Sequence, residues 1–154
     1  MKRTLIVLVS TVVLVAGCRA EAEGLKDTEA AVALAESFME ILGSEEGGVQ
    51  AAFDEIAPCW PIGGQEVGTM VMQTIQTRPL LEERYGERLG HLLISQEKVA
   101  DTVLRLVYLE RFEYSALRWS FYFYRTSDGW IVNTMHWDDQ IMLLFGNAPL
   151  PLQQ

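Results

Sequence analysis

The chain has 154 residues and a mass of 17.4 kDa, the size of one domain. Apolar residues make up 49% and charged residues 21%, which excludes a disordered chain. The net charge of −9 and pI near 4.6 exclude a general nucleic-acid binder, because phosphates need a basic face.

The first element in chain order is a leader. Lys2 and Arg3 precede an uncharged run rich in Leu, Val and Ile, Thr4 to Ala16. A membrane-spanning helix needs about 20 apolar residues, so this run is short for a permanent anchor and fits the apolar core of an export signal. It ends in Val15-Ala16-Gly17-Cys18, which resembles a bacterial lipobox. In that pattern small residues let an extended backbone enter the signal peptidase, and the cysteine thiol takes a diacylglycerol. The resemblance implies that residues 1–17 are removed and that Cys18 carries the lipid. The protein is then exported and held to a membrane through its N-terminus, where several acyl chains anchor stably. Ala20-Glu21-Ala22 offers an ordinary cleavage site as the alternative. Arg19 is not the Asp that signals inner-membrane retention, so in a Gram-negative cell the expected address is the outer membrane, facing the periplasm. Loss of Lys2 and Arg3, with no acid, takes the net charge from −9 to −11.

Residues 18–25 read as a tether, 26–145 as the domain and 146–154 as a tail. Asp27 or Thr28 can cap a first helix over residues 28–42, with Glu29 where the helix dipole favours an acid. Val32, Ala35, Phe38, Met39 and Leu42 recur at helical spacing, and Gly43 is a plausible stop. Val49, Ala52, Phe53 and Ile56 give a second helix ended by Pro58. Cys59, in the proline-bracketed segment Ala57-Pro58-Cys59-Trp60-Pro61, is expected to be buried. Val67, Met70, Val71, Thr74 and Ile75 suggest a third helix, and Pro79 fits the first turn of a fourth, Leu80 to Tyr85, closed by Gly86. Met39, Met70 and Met72 read as core filler.

After Gly90 the character changes. Leu92–Val99, Asp101–Tyr114, Ala116–Thr126 and Gly129–Asp138 are rich in β-branched and aromatic residues, the mark of strands. Ser127-Asp128-Gly129 is a tight hairpin turn. Leu117, Trp119, Phe121 and Phe123 share one face, and Arg118, Ser120, Tyr122 and Tyr124 the other. Helices followed by an antiparallel sheet make an α+β fold, with three or four helices packed on the sheet.

Two stretches carry a family resemblance. One is Thr77-Arg78-Pro79-Leu80-Leu81-Glu82-Glu83-Arg84-Tyr85-Gly86. The other is Trp119-Ser120-Phe121-Tyr122-Phe123-Tyr124-Arg125 with Asp128-Gly129-Trp130-Ile131-Val132 and Trp137-Asp138-Asp139. With the element order, they resemble the NTF2-like superfamily, a cone in which a curved antiparallel sheet wraps N-terminal helices. The family hosts enzymes, transport factors and binding domains, so the fold leaves function open.

Enzymes of that family place carboxylates inside the cone. Glu97, Asp101, Glu110, Asp138 and Asp139 are the candidates, and none aligns with a family catalytic position. His136 and Asp138 share a strand face, a spacing zinc could use, but no third ligand is evident. Because His136 also shares parity with Trp130 and Val132, it reads as a wall residue. No metal, cofactor or catalytic residue is expected. The leading expectation is a small-molecule site in the mouth of the cone, lined by Tyr85, Tyr108, Trp119, Trp130, His136 and Trp137, with Arg105 and Arg118 able to fix an acidic group. Of these, Tyr85, Arg105, Tyr108, Trp119 and His136 are the ligand-binding candidates. A docking module follows closely, as a homodimer or on an envelope partner through Ser120, Tyr122 and Tyr124. An acid–base enzyme comes third.

Overall fold

A computed structural model describes residues 22–44 and 48–145. The leader, the first half of the tether with Cys18, and the tail lie outside the described residues. Within them no helix is long and apolar enough to cross a membrane.

Three helices precede four strands. Helix α1 spans Thr28–Leu42, capped by the Asp27 carboxylate, which accepts from the Ala30 N–H at 2.8 Å. Its stripe Ala31, Ala35, Phe38, Met39 and Leu42 is buried. Helix α2 (Gly48–Ile56) buries Ala52, Phe53 and Ile56. A 3₁₀ turn, Ala57–Cys59, follows. Cys59 is buried there, and burial, then the charges of Glu23 and Glu55, push its thiol pKa up.

Helix α3 spans Gly64–Tyr85 without interruption. The separate fourth helix expected from Pro79 is therefore part of α3, and the described residues form three α-helices. A proline in a helix interior removes one i→i−4 hydrogen bond. Pro79 faces solvent, where water can take the unpaired Ile75 carbonyl, so α3 runs through it. Gly86, at φ +79°, ends the helix in a conformation that other residues adopt only with strain. Met72, expected in the core, is 55% exposed on this helix.

Strands β1 (Arg88–Val99), β2 (Val103–Phe112), β3 (Ala116–Thr126) and β4 (Gly129–Asp138) form one open antiparallel meander in the order β1-β2-β3-β4. Strand β1 starts four residues earlier than the sequence suggests, so Arg88 and His91 belong to the sheet. Asp101, expected in β2, instead lies in the β1–β2 turn, where Ala100 and Asp101 have φ of 48° and 53°. The Thr102 N–H closes that turn on the Val99 carbonyl at 3.0 Å.

The helices cover one face of the sheet, here the inner face. Leu104, Leu106, Tyr108, Glu110 and Phe112 point inward from β2, opposite Phe123, Phe121, Trp119 and Leu117 of β3. Phe38 fills the centre. Its ring lies 5.4 Å from Phe53, 5.5 Å from Trp119 and 5.4 Å from Phe121, edge-on or tilted as aromatic pairs prefer. The interior behind Trp119 is therefore packed side chain.

Three irregularities change which residues face inward. In β1 the register shifts between Arg88 and Gly90 and again between Leu93 and Ser95. In β4, Phe123 pairs with Val132 and Tyr122 with Thr134, which leaves Asn133 as the extra residue. Trp130 and Val132 thus face inward, whereas His136 faces outward opposite Ser120, a correction to the simple alternation. On the outer face the C-terminal 3₁₀ segment Ile141–Phe145 lies near Ser120, which is buried.

Candidate functional site

A half-open groove of about 260 Å³ lies between α3 and β4. Its walls are Phe53, Met70, Trp119, Met135 and Trp137, with Gln73 and Thr74 as polar but uncharged neighbours. Local structure explains the set. Met70, Gln73 and Thr74 are i, i+3 and i+4 on α3 and share a face. Trp119 and Trp137 are cross-strand partners with ring centroids 6.0 Å apart. Thr74 turns its hydroxyl back to the Met70 carbonyl at 2.8 Å, which leaves its methyl group for the groove. Met70 also borders a shallower depression of about 390 Å³ with Trp60, Ile62, Asn133 and Thr134. At about 260 Å³ the first groove falls just below the usual ligand-pocket range of roughly 300–1,000 Å³, so it suits a small ligand.

Beneath the Trp119 ring lies a buried ionic cluster. Glu110 is fully buried. Its Oε1 accepts from Arg78 Nη1 and from Arg88 Nε, both at 2.7 Å, and its Oε2 accepts from Trp119 Nε1 at 2.9 Å. Isolated, that carboxylate would cost several kcal/mol to bury; here three donors satisfy it. Those bonds occupy the group, so it is not placed to take a proton from a substrate. Arg88 continues the chain, donating through Nη2 to the Met39 carbonyl at 2.8 Å and to His91 Nδ1 at 3.3 Å. A guanidinium has no acceptor, so His91 Nδ1 accepts and its Nε2 carries the proton donated to Glu36 Oε1 at 2.7 Å. Gly43 makes room for this path. A Cβ there would collide with Nη1 of Arg88, so glycine serves close packing at a position whose φ of −89° any residue can adopt.

The ligand-binding candidates are dispersed. Trp119 forms the floor of the groove. His136 borders it, yet its ring stacks on Tyr122 on the outer face, with centroids 5.8 Å apart. Tyr108 pairs with Trp119 across the strands but lies deeper, fully buried, and its hydroxyl makes no hydrogen bond of ordinary geometry. Burial and the nearby Glu36 carboxylate push its pKa well up. Tyr85 sits at the end of α3, donating to Asp139 Oδ2 at 3.0 Å; burial and that bond raise its pKa. Arg105 is on the outer face, bonded to Glu97 at 2.6 Å, and that bond holds the Glu97 carboxyl below its usual range. Trp130 is buried where Leu25 bridges the start of β4.

The carboxylates near the strand ends are also engaged. Arg118 donates to Asp138 Oδ2 at 2.7 Å. Burial works against ionisation of Asp138, but the Arg118 bond and the Gln140 N–H outweigh it and lower its pKa. Asp101 bonds Lys98 and Arg125. Among the described residues no cluster of three metal-ligating side chains occurs.

Arg78, Arg88, His91 and Glu36 escaped the sequence reading. Arg78 and Arg88 stand 32 and 22 residues from Glu110, distances at which periodicity carries no signal. No family model, no curated protein and no solved structure matches this chain.

Proposed function

We propose that the chain is a lipid-anchored protein of the bacterial cell envelope whose NTF2-like domain holds a small molecule in the groove between α3 and β4. The observation that carries this reading is the groove itself. It is concave, aromatic- and methionine-lined, and bordered by Gln73, Thr74 and His136, the usual composition of a small-ligand site. Three helices on one face of a four-stranded meander support the NTF2-like assignment. The anchor rests on residues 2–18, with Cys18 as the acylated residue and the outer membrane as the address in a Gram-negative cell.

Native mass spectrometry of residues 19–154, purified without denaturant, tests the binding. A small, discrete added mass is the expected result; a bare mass at every purification contradicts a tight ligand. For the anchor, Cys18→Ala should accumulate unprocessed precursor, and normal maturation of that variant would contradict lipidation.

A second reading, docking through the outer sheet face, is favoured by exposed Tyr124, Met142, Leu143 and Phe145, an apolar set of the kind that marks interaction sites. The same spectrum distinguishes it, because a bare homodimer is its signature. Ser120, expected in that interface, is buried beside the C-terminal segment, so Tyr122 and Tyr124 would carry the contact.

A further inference from the structure

Glu110 holds one negative charge between two guanidinium groups. Arg88 gives its Nε to Glu110 and its Nη2 to the Met39 carbonyl and His91, and the half-exposed Glu36 meets it through the His91 ring. Arg78 is different. Its side chain is 12% exposed. Besides Glu110, and the Phe112 ring 5.8 Å from its guanidinium carbon, it has no partner among the described residues. Its Nε and Nη2 are left unmatched. Neither is a buried orphan, so both are open to an incoming anion, and the planar fork of the guanidinium matches a carboxylate.

The place of Arg78 ties it to the groove. Thr74 and Arg78 are four residues apart on α3 and share a face, and Thr74 lines the groove. Trp119 is common to both, since its ring lines the groove and its Nε1 holds the carboxylate that Arg78 grips. Should Arg78 turn toward a ligand, Glu110 keeps Arg88 and Trp119. No lysine, arginine, aspartate or glutamate lines the groove itself, and His136 at its border stacks on Tyr122 on the outer face; Arg78, one helical turn beyond Thr74, is an arginine carried by the helix that forms the groove wall.

We propose that the groove selects an amphipathic organic anion, with a short apolar body against Trp119, Met70 and Trp137 and a carboxylate head on the Arg78 guanidinium. This rests on the reading of the groove as a ligand site and names the class of ligand.

Calorimetric titration of residues 19–154 with octanoate and with octan-1-ol, which share the apolar body and differ in the head, tests it. That chain keeps every contact described above. Octanoate is expected to bind about tenfold more tightly, and added salt should shrink the difference. Arg78→Gln should bring octanoate down to the level of octanol and leave octanol unchanged, whereas Arg78→Lys should keep part of the preference. Should Arg78→Gln fail to fold, the comparison of the two probes on the natural sequence decides by itself. Equal binding of both probes overturns the anion proposal and leaves the groove as a ligand site. Binding of neither overturns both.

Discussion

Helices α1 and α3 both lie against the inner face of the sheet, yet they are held very differently. Helix α1 buries five of its 15 residues, Ala31, Ala35, Phe38, Met39 and Leu42, and α3 buries three of its 22, Val71, Thr74 and Tyr85. The sequence explains the difference. The α1 stripe is continuous and apolar, with Phe38 meeting three other rings. Helix α3 carries Gln65, Glu66, Thr69, Gln73 and Gln76 over its first turns, all exposed, and Pro79 interrupts its hydrogen bonds. Most helical stability in proteins comes from packing of an apolar face. The element that forms one wall of the groove is therefore the one with least to lose by moving, whereas α1 closes the core behind it.

The contrast can be broken at its strong side first. Phe38→Ala should destabilise by about 3–5 kcal/mol, because it empties the centre of the ring cluster. The corresponding cut on α3, Val71→Ala, should cost about 2 kcal/mol or less. Urea unfolding of the two variants measures both, and equal losses would erase the distinction. Gly43→Ala comes next. The added methyl must displace Arg88, which is fixed at its far end by Glu110 and the Met39 carbonyl. Overpacking of this kind costs about 1–3 kcal/mol, read as a lower urea midpoint at unchanged slope.

Two changes on α3 sharpen the comparison. Pro79→Ala restores a backbone donor in the middle of the helix and should stabilise the protein by about 1 kcal/mol, less than the full proline penalty because the unfolded chain also gains freedom. A lower melting temperature would mean that Pro79 sets a needed bend. Tyr85→Phe removes the hydrogen bond that fastens the end of α3 to Asp139 and should cost about 1 kcal/mol. The raised pKa of Tyr85, due first to burial and then to Asp139, adds a sign to the test. Its contribution is complete below the ordinary tyrosine value of about 10 and is lost as pH rises through the higher folded value. The gap between the natural protein and Tyr85→Phe should therefore narrow in alkali and stay constant below it.

Local signals made much of this fold legible. Asp27 and the spacing from Val32 to Leu42 fix both ends of α1 at Thr28 and Leu42, although Ala31 rather than Val32 is the fully buried residue at its start. The alternation from Leu117 to Phe123 gives the inner face of β3, and Ser127-Asp128-Gly129 gives its hairpin. What escaped depends on contacts far along the chain. Both parities of β2 carry apolar and charged residues, and it is Arg78, Arg88 and Trp119 that let the parity of Glu110 be the buried one. A single extra residue, Asn133, turns His136 away from Trp130 and Val132. Of the site candidates, Trp119 was readable as an inward aromatic. Its partner Tyr108 has the same parity, but depth beneath the helices, which periodicity does not encode, separates it from the groove.

Amide hydrogen exchange along residues 22–145, with and without octanoate, is the most direct test of a firm α1 behind a loosely held groove wall. Residues 64–77 of α3 should exchange roughly a hundredfold faster than residues 31–42 of α1, and octanoate should slow α3 while leaving α1 unchanged. Equal protection of the two helices, with no response of α3 to octanoate, would contradict both the loose wall and the ligand it is said to admit.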